Sequence, residues 1–155
     1  MNKQIIQFRY GINPKLKELV LLWKMHYNYK GYFIIGPKTS GKTAFLKDLE
    51  KALDKTTYIT GHQMIERLYD DVRKNRLYFF TNNPQEVLLI DDLDELNQKI
   101  TVTEEIIRRL RREEYNSEGE KRLIICTFSN EELAIQIAQR LKYDIVFFKP
   151  FAQHY

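Results

Sequence analysis

The sequence predicts an α/β fold, a parallel five-stranded sheet with helices on both faces. Three observations carry that expectation. Short, continuous apolar runs (GYFIIG at 31–36, VLLI at 87–90, LIICT at 123–127 and DIVFF at 144–148) suit strands covered from both sides. Between these runs, apolar residues recur at helical spacing. Glycine, proline and asparagine signals fall at the joins between elements.

The elements follow in chain order. Asn13-Pro14 reads as an N-cap followed by proline at the first helical position, opening a helix through Leu16, Leu19, Val20 and Trp23. Residues 31–36 form the first buried strand and enter a glycine-rich stretch. From Lys42 to about Asp54, Phe45, Leu46, Leu49, Ala52 and Leu53 mark one helical face. Thr57–Thr60 is β-branched and aromatic, hence a strand. Thr60 and Gln63 have capping-box spacing ahead of Ile65, Leu68 and Val72. Asn82-Asn83-Pro84 is a turn, and Val87–Ile90 a strand ending in two aspartates. Thr103–Glu114 is a helix stopped by Asn116–Gly119. Leu123–Thr127 is a strand, and Ser129 with Glu132 repeats the capping box before Leu133, Ile137 and Leu141. Asp144–Phe148 closes the sheet before Lys149-Pro150.

Composition narrows the class. The 155 residues are 43% hydrophobic and 30% charged, a globular balance sized for one domain over 1–155. A net charge of +4 permits an acidic partner without demanding one. The single cysteine, Cys126, excludes an internal disulfide and suits a reducing compartment. No apolar run approaches the ~20 residues of a membrane span, and the N-terminus does not read as a signal peptide, so the expected location is cytoplasmic. His26, His62 and His154 lack ligand spacing.

Gly36-Pro37-Lys38-Thr39-Ser40-Gly41-Lys42-Thr43 matches G-x-x-x-x-G-K-[ST] in full. A loop wrapping a triphosphate turns its N–H groups inward, which favours glycine, and the following helix presents its positive end to the anion. Lys42 adds charge for the β- and γ-phosphates, and Thr43 a hydroxyl for Mg²⁺. The motif therefore predicts ATP or ADP with Mg²⁺. Downstream, the strand ending at Asp91-Asp92 fits a Walker B element. Asp91 is expected to hold Mg²⁺, and Asp92 to orient or deprotonate the attacking water. Asp94 and Glu95 read as solvated acids.

GPKTSGKT at 36–43, VLLIDDLDEL at 87–96 and LIICTFSN at 123–130 together resemble the AAA+ ATPases, within them the bacterial initiator and helicase-loader branch of DnaA, Hda-type relatives and DnaC/IstB loaders. The resemblance implies that Asn130 is a sensor of the γ-phosphate or attacking water, the helix cap being left to Ser129. It places Arg140 where such proteins carry an arginine finger, a surface arginine being the alternative. Tyr10 falls where the family's N-terminal segment packs on adenine, a core role being the alternative. The family base is covered, whereas the helical lid with its sensor 2 arginine and the DNA-binding domain are not expected within these residues.

Weaker signals complete the reading. Arg108-Arg109-Leu110-Arg111-Arg112 could meet non-specific DNA, but the Glu104/Arg108 and Glu105/Arg109 spacings favour a solvated, ion-paired face. Residues 4–8 faintly resemble the sliding-clamp peptide of Hda-type proteins, with an ordinary edge strand the favoured alternative. Tyr78-Phe79-Phe80 suits core packing better than base stacking. The expected function is nucleotide binding in DNA replication or its regulation, with slow or partner-dependent hydrolysis. Replication proteins or a second copy would meet the nucleotide face. A small-molecule P-loop kinase, or an AAA+-derived adaptor with little turnover, are the alternatives.

Overall fold

Each apolar run forms a strand because its backbone polar groups find partners only in neighbouring strands once its side chains are buried. The computed structural model describes residues 3–6, 31–38, 40–53, 55–73, 87–94, 100–115, 119 and 121–148. The described strands are β1 (Lys3–Ile6), β2 (Gly31–Ile35), β3 (Thr56–Thr60), β4 (Val87–Asp91), β5 (Leu123–Phe128) and β6 (Asp144–Phe148). The helices are α1 (Lys42–Ala52), α2 (Gly61–Arg73), α3 (Ile100–Glu113) and α4 (Glu131–Leu141). All five expected strands are present. The edge strand favoured for residues 4–8 adds a sixth, described over Lys3–Ile6 and running parallel to β6.

The sheet order is β1-β6-β2-β5-β4-β3, with every pairing parallel. Strand alternation divides the core. Phe33, Ile35, Leu88, Ile90, Ile124, Cys126 and Ile145 face α2, α3 and α4, meeting Met64, Ile106, Leu110 and Ile137. Tyr32, Ile34, Leu89, Ile125 and Val146 face the other way, onto Phe45, Leu46 and Leu49 of α1. Because the strands are parallel, their carboxyl ends share one edge, and the loops after β2, β4 and β5 converge there. Among the described residues no helix is long and apolar enough to cross a membrane.

Several local expectations meet the structure directly. The Thr60–Gln63 capping box closes reciprocally: Gln63 N donates to Thr60 Oγ1 at 3.1 Å and Thr60 N to Gln63 Oε1 at 2.9 Å. At α4 the cap shifts by one residue. Asn130, not Ser129, accepts from Leu133 N, at 3.1 Å. Both residue types cap well, and the spacing to Glu132 did not separate them. The arginine run on α3 is also only partly solvated. Arg108 pairs with Glu105 at 2.7 Å and Glu104 reaches across to Arg140 on α4, while Arg109 is 2% exposed and lies 3.6 Å from Glu105. The expected 13–23 helix, the 82–84 turn and Tyr78–Phe80 lie outside the described residues.

Candidate functional site

The loop after β2 is shaped by close approach and by one left-handed residue. A Cβ on Gly36 would stand 2.6 Å from the Phe148 carbonyl and 2.7 Å from Ser40 Oγ, so only glycine fits between β6 and the returning loop. Gly41 has φ 84, a conformation that costs a side-chain-bearing residue about 1–2 kcal/mol. Ser40 N and Oγ both donate to the Pro37 carbonyl, at 3.0 and 2.7 Å, tightening the turn. At Gly41 the helix start has no side-chain cap and no acid in its first turn. By contrast, α4 is capped by Asn130 and carries Glu131 and Glu132 in its first turn. A helix start without a side-chain cap or an acid in its first turn is suited to an anion.

Lys42 bends back over this loop. Its ammonium donates to the carbonyls of Gly36 at 2.5 Å and Pro37 at 2.7 Å, and the residue is only 7% exposed. Burial holds the ammonium below the usual lysine range, against the smaller opposing pull of the Asp94, Asp91 and Asp92 carboxylates. Lys42 thus holds two neutral carbonyl partners that an anionic phosphate oxygen can replace.

Across from the loop, Asp91 ends β4 at 5% exposure. Thr127 Oγ1 donates to Asp91 Oδ1 at 2.6 Å, and Tyr58 Oη donates to Oδ2 at 2.8 Å. Burial and Asp91 push the Tyr58 hydroxyl well above the usual tyrosine range, so it remains a donor. Asp92 turns the chain with φ 59, and its N–H donates to Thr127 Oγ1 at 2.8 Å. Asp94, expected to be solvated, is half-buried and accepts from Ser129 N at 2.5 Å and Asn130 N at 3.1 Å. The ends of β4 and β5 are therefore stitched together by reciprocal side-chain and backbone bonds.

These elements enclose an open cleft of about 330 Å³. Lys38, Gly41, Lys42 and Thr43 line it from the loop, Asp91 and Asp92 from β4, and Thr127 and Ser129 from β5. Pro37 is exposed beside the cleft, and Gly36 and Ser40 are buried beneath it. The Thr43 hydroxyl and the Asp91 carboxylate are hard oxygen donors, and each Asp91 oxygen retains acceptor capacity beyond the one bond described. That donor set suits Mg²⁺ better than a thiolate-seeking or imidazole-seeking metal.

The remaining sequence-derived residues divide. Asn130 sits at the rim as the α4 cap, and its neighbour Ser129 lines the cleft. Arg140 stands on the last turn of α4, 46% exposed and bound through two nitrogens to Glu104, with Arg111 donating to its carbonyl at 3.0 Å. Thr39 and Tyr10 lie outside the described residues. Tyr58, Thr127 and Asp94 were missed as site residues. Their partners lie more than thirty positions away, and only the sheet order brings them together.

A model of the bacterial DnaA ATPase domain matches residues 20–146. No curated protein sequence matches the chain. Among solved structures, domain III of the Thermotoga maritima replication initiation protein DnaA superposes with a TM-score of 0.61 at 19% identity, over 90% of this chain and 65% of that one. AMPPCP-bound DnaA from Aquifex aeolicus gives a TM-score of 0.59 at 18% identity, over 88% of this chain and 50% of that one. A DnaA initiator bound to AMPPCP and single-stranded DNA gives 0.58 at 18% identity, over 92% and 48%. The chain spans about half to two thirds of these proteins, and at such identities the likeness is one of fold: an AAA+ P-loop α/β sheet. Because the sequence match takes in most of the chain, the protein belongs to the bacterial DnaA ATPase-domain family.

Proposed function

We propose that the carboxyl edge binds ATP or ADP with Mg²⁺, that hydrolysis there is slow or partner-dependent, and that the protein acts in DNA replication or its regulation. The observation that carries this reading is the pairing, across one cleft, of an uncapped helix start and Lys42 with the buried Asp91 carboxylate. Loop N–H groups from Gly36 to Thr43 would cradle the phosphates while Lys42 exchanges its two carbonyl partners for β- and γ-phosphate oxygens. Thr43 and Asp91 would hold Mg²⁺, which supplies charge neutralisation between the phosphates. Asp92, exposed on its left-handed turn, would orient the attacking water.

In the same reading Asn130 offers the nitrogen end of its side-chain amide to the γ-phosphate while its oxygen caps α4. Arg140 acts in trans, leaving Glu104 to stabilise charge on a neighbouring copy's nucleotide. Family membership supports the replication setting, and the AMPPCP-bound neighbours support nucleotide as the ligand. Self-association through the nucleotide face follows from the Arg140 role.

Calorimetric titration with ADP and ATP in Mg²⁺ tests the binding claim. Saturable binding, lost in Lys42→Ala, is expected, and heat that is absent or unchanged in that variant would overturn it. Asp92→Asn should retain binding and lose most turnover, and an unchanged rate would remove Asp92 from the chemistry.

A further inference from the structure

We propose that Tyr58 is a positioning residue that fixes the Asp91 carboxylate in the orientation needed to hold Mg²⁺. The inference rests on the nucleotide reading above and extends it to a residue on a different strand, outside the recognisable motifs.

The geometry begins with the sheet. β4 lies between β3 and β5, and Asp91 is its last residue. Each flanking strand sends one hydroxyl to a different oxygen of that carboxylate, Thr127 from β5 to Oδ1 and Tyr58 from β3 to Oδ2. With one donor on each oxygen, rotation about the carboxylate bond breaks both contacts, and the remaining lone pairs keep a fixed direction. Thr127 contributes one half of this clamp rigidly. Its oxygen accepts from Asp92 N, so its single proton is committed to Asp91.

Tyr58 supplies the other half by matching lengths. In the β3–β4 register Thr60 stands opposite Asp91, and Tyr58 stands opposite Leu89. Two residues of strand span about 6.6 Å, close to the reach of a phenol from its Cα. Strand alternation puts Tyr58 on the face that also packs Val87, Leu89 and α1, the helix that begins at Lys42 and Thr43. The ring rests against that core and delivers its hydroxyl to the carboxylate from the outer strand, across β4 from Thr127. A valine or isoleucine would fill the strand equally well by β-propensity and would leave Oδ2 without this donor.

Tyr58→Phe removes the hydroxyl and keeps the ring, so packing on α1 and β4 is retained. The test is calorimetric titration of ADP into the full chain, in EDTA and across a series of Mg²⁺ concentrations, for wild type and Tyr58→Phe. Outer partners of metal-holding groups commonly set affinity by 10–100-fold, so the Mg²⁺ concentration giving half of the metal-dependent gain should rise roughly tenfold. ADP affinity in EDTA should stay within about twofold, because the loop and Lys42 are untouched. An unchanged Mg²⁺ dependence overturns the inference, and so does an equal loss in EDTA and in Mg²⁺, which marks a packing role only. Wild type that binds ADP identically with and without Mg²⁺ overturns the inference and leaves nucleotide binding standing. Wild type that binds no ADP overturns both.

Discussion

Buried charge occurs at both edges of this sheet, and the two edges treat it differently. At the amino edge, Arg122 stands just ahead of β5 and pairs with Glu113 at the end of α3, the two side chains 1% and 0% exposed. Arg122 also donates to the Glu113 carbonyl at 3.4 Å, and Tyr143 donates to Glu114 at 3.5 Å. The Arg122 and Glu113 charges are matched against each other within the protein. At the carboxyl edge, Lys42 donates to neutral carbonyls, and among the described residues Asp91 accepts from two neutral hydroxyls. The cation and the anion line one cleft. The lesson is that burial of a charge does not by itself mark a candidate site. Burial beside a cleft with replaceable neutral partners is the feature that distinguishes the carboxyl edge.

The largest effect that could break this contrast is on stability. Removing one member of the pair, by Glu113→Ala or Arg122→Ala, should cost roughly 3–5 kcal/mol in urea unfolding, since the survivor stays buried after losing the opposite charge. Lys42→Ala should cost less, about 1–3 kcal/mol, since it strips the ammonium from two neutral carbonyls and leaves no buried charge behind. Equal costs at both edges would remove the distinction.

Tyr143 sharpens the same comparison through pH. Burial pushes its hydroxyl well above the usual tyrosine range, and Glu114 adds to the shift. The folded protein thus keeps the proton while the unfolded chain releases it near pH 10. Stability is full below that pH and falls as pH rises beyond it, by about 1.4 kcal/mol per pH unit for this group. Unfolding midpoints between pH 9 and 11 should show the decline, and Tyr143→Phe should make it shallower without abolishing it, because the Tyr58 and Tyr32 hydroxyls are also raised by burial.

Smaller effects separate the two α4 residues. Asn130→Ala removes a helix cap and should cost about 1 kcal/mol. Arg140→Ala breaks an exposed pair with Glu104 and should change stability by less than about 0.5 kcal/mol. An arginine variant that is neutral in stability but alters self-stimulated turnover would mark Arg140 as a finger, and neutrality in both would mark it as surface.

How much of this was legible depended on whether the determining contacts were local. The five strands, the helix that starts after Gly41 and the Thr60–Gln63 box are encoded within a few residues, and the structure forms each of them. The α4 cap was misplaced by one because Ser129 and Asn130 are adjacent and chemically similar caps. The α3 arginines were read from i,i+4 spacing, which cannot reveal that Glu104 finds Arg140 instead. Nor can it reveal that Glu113 turns inward to Arg122. Asp94, Tyr58 and Thr127 became visible only with strand order, since a carboxylate or a hydroxyl has no periodicity to announce its partner.

Amide hydrogen exchange with and without Mg·ADP tests most directly whether the carboxyl edge is the working one. Nucleotide binding there predicts slowed exchange across Lys38–Thr43 and at Asp92 and Ser129, with rates around Glu113 and Arg122 unchanged. No protection in the loop, or equal protection at both edges, would contradict it.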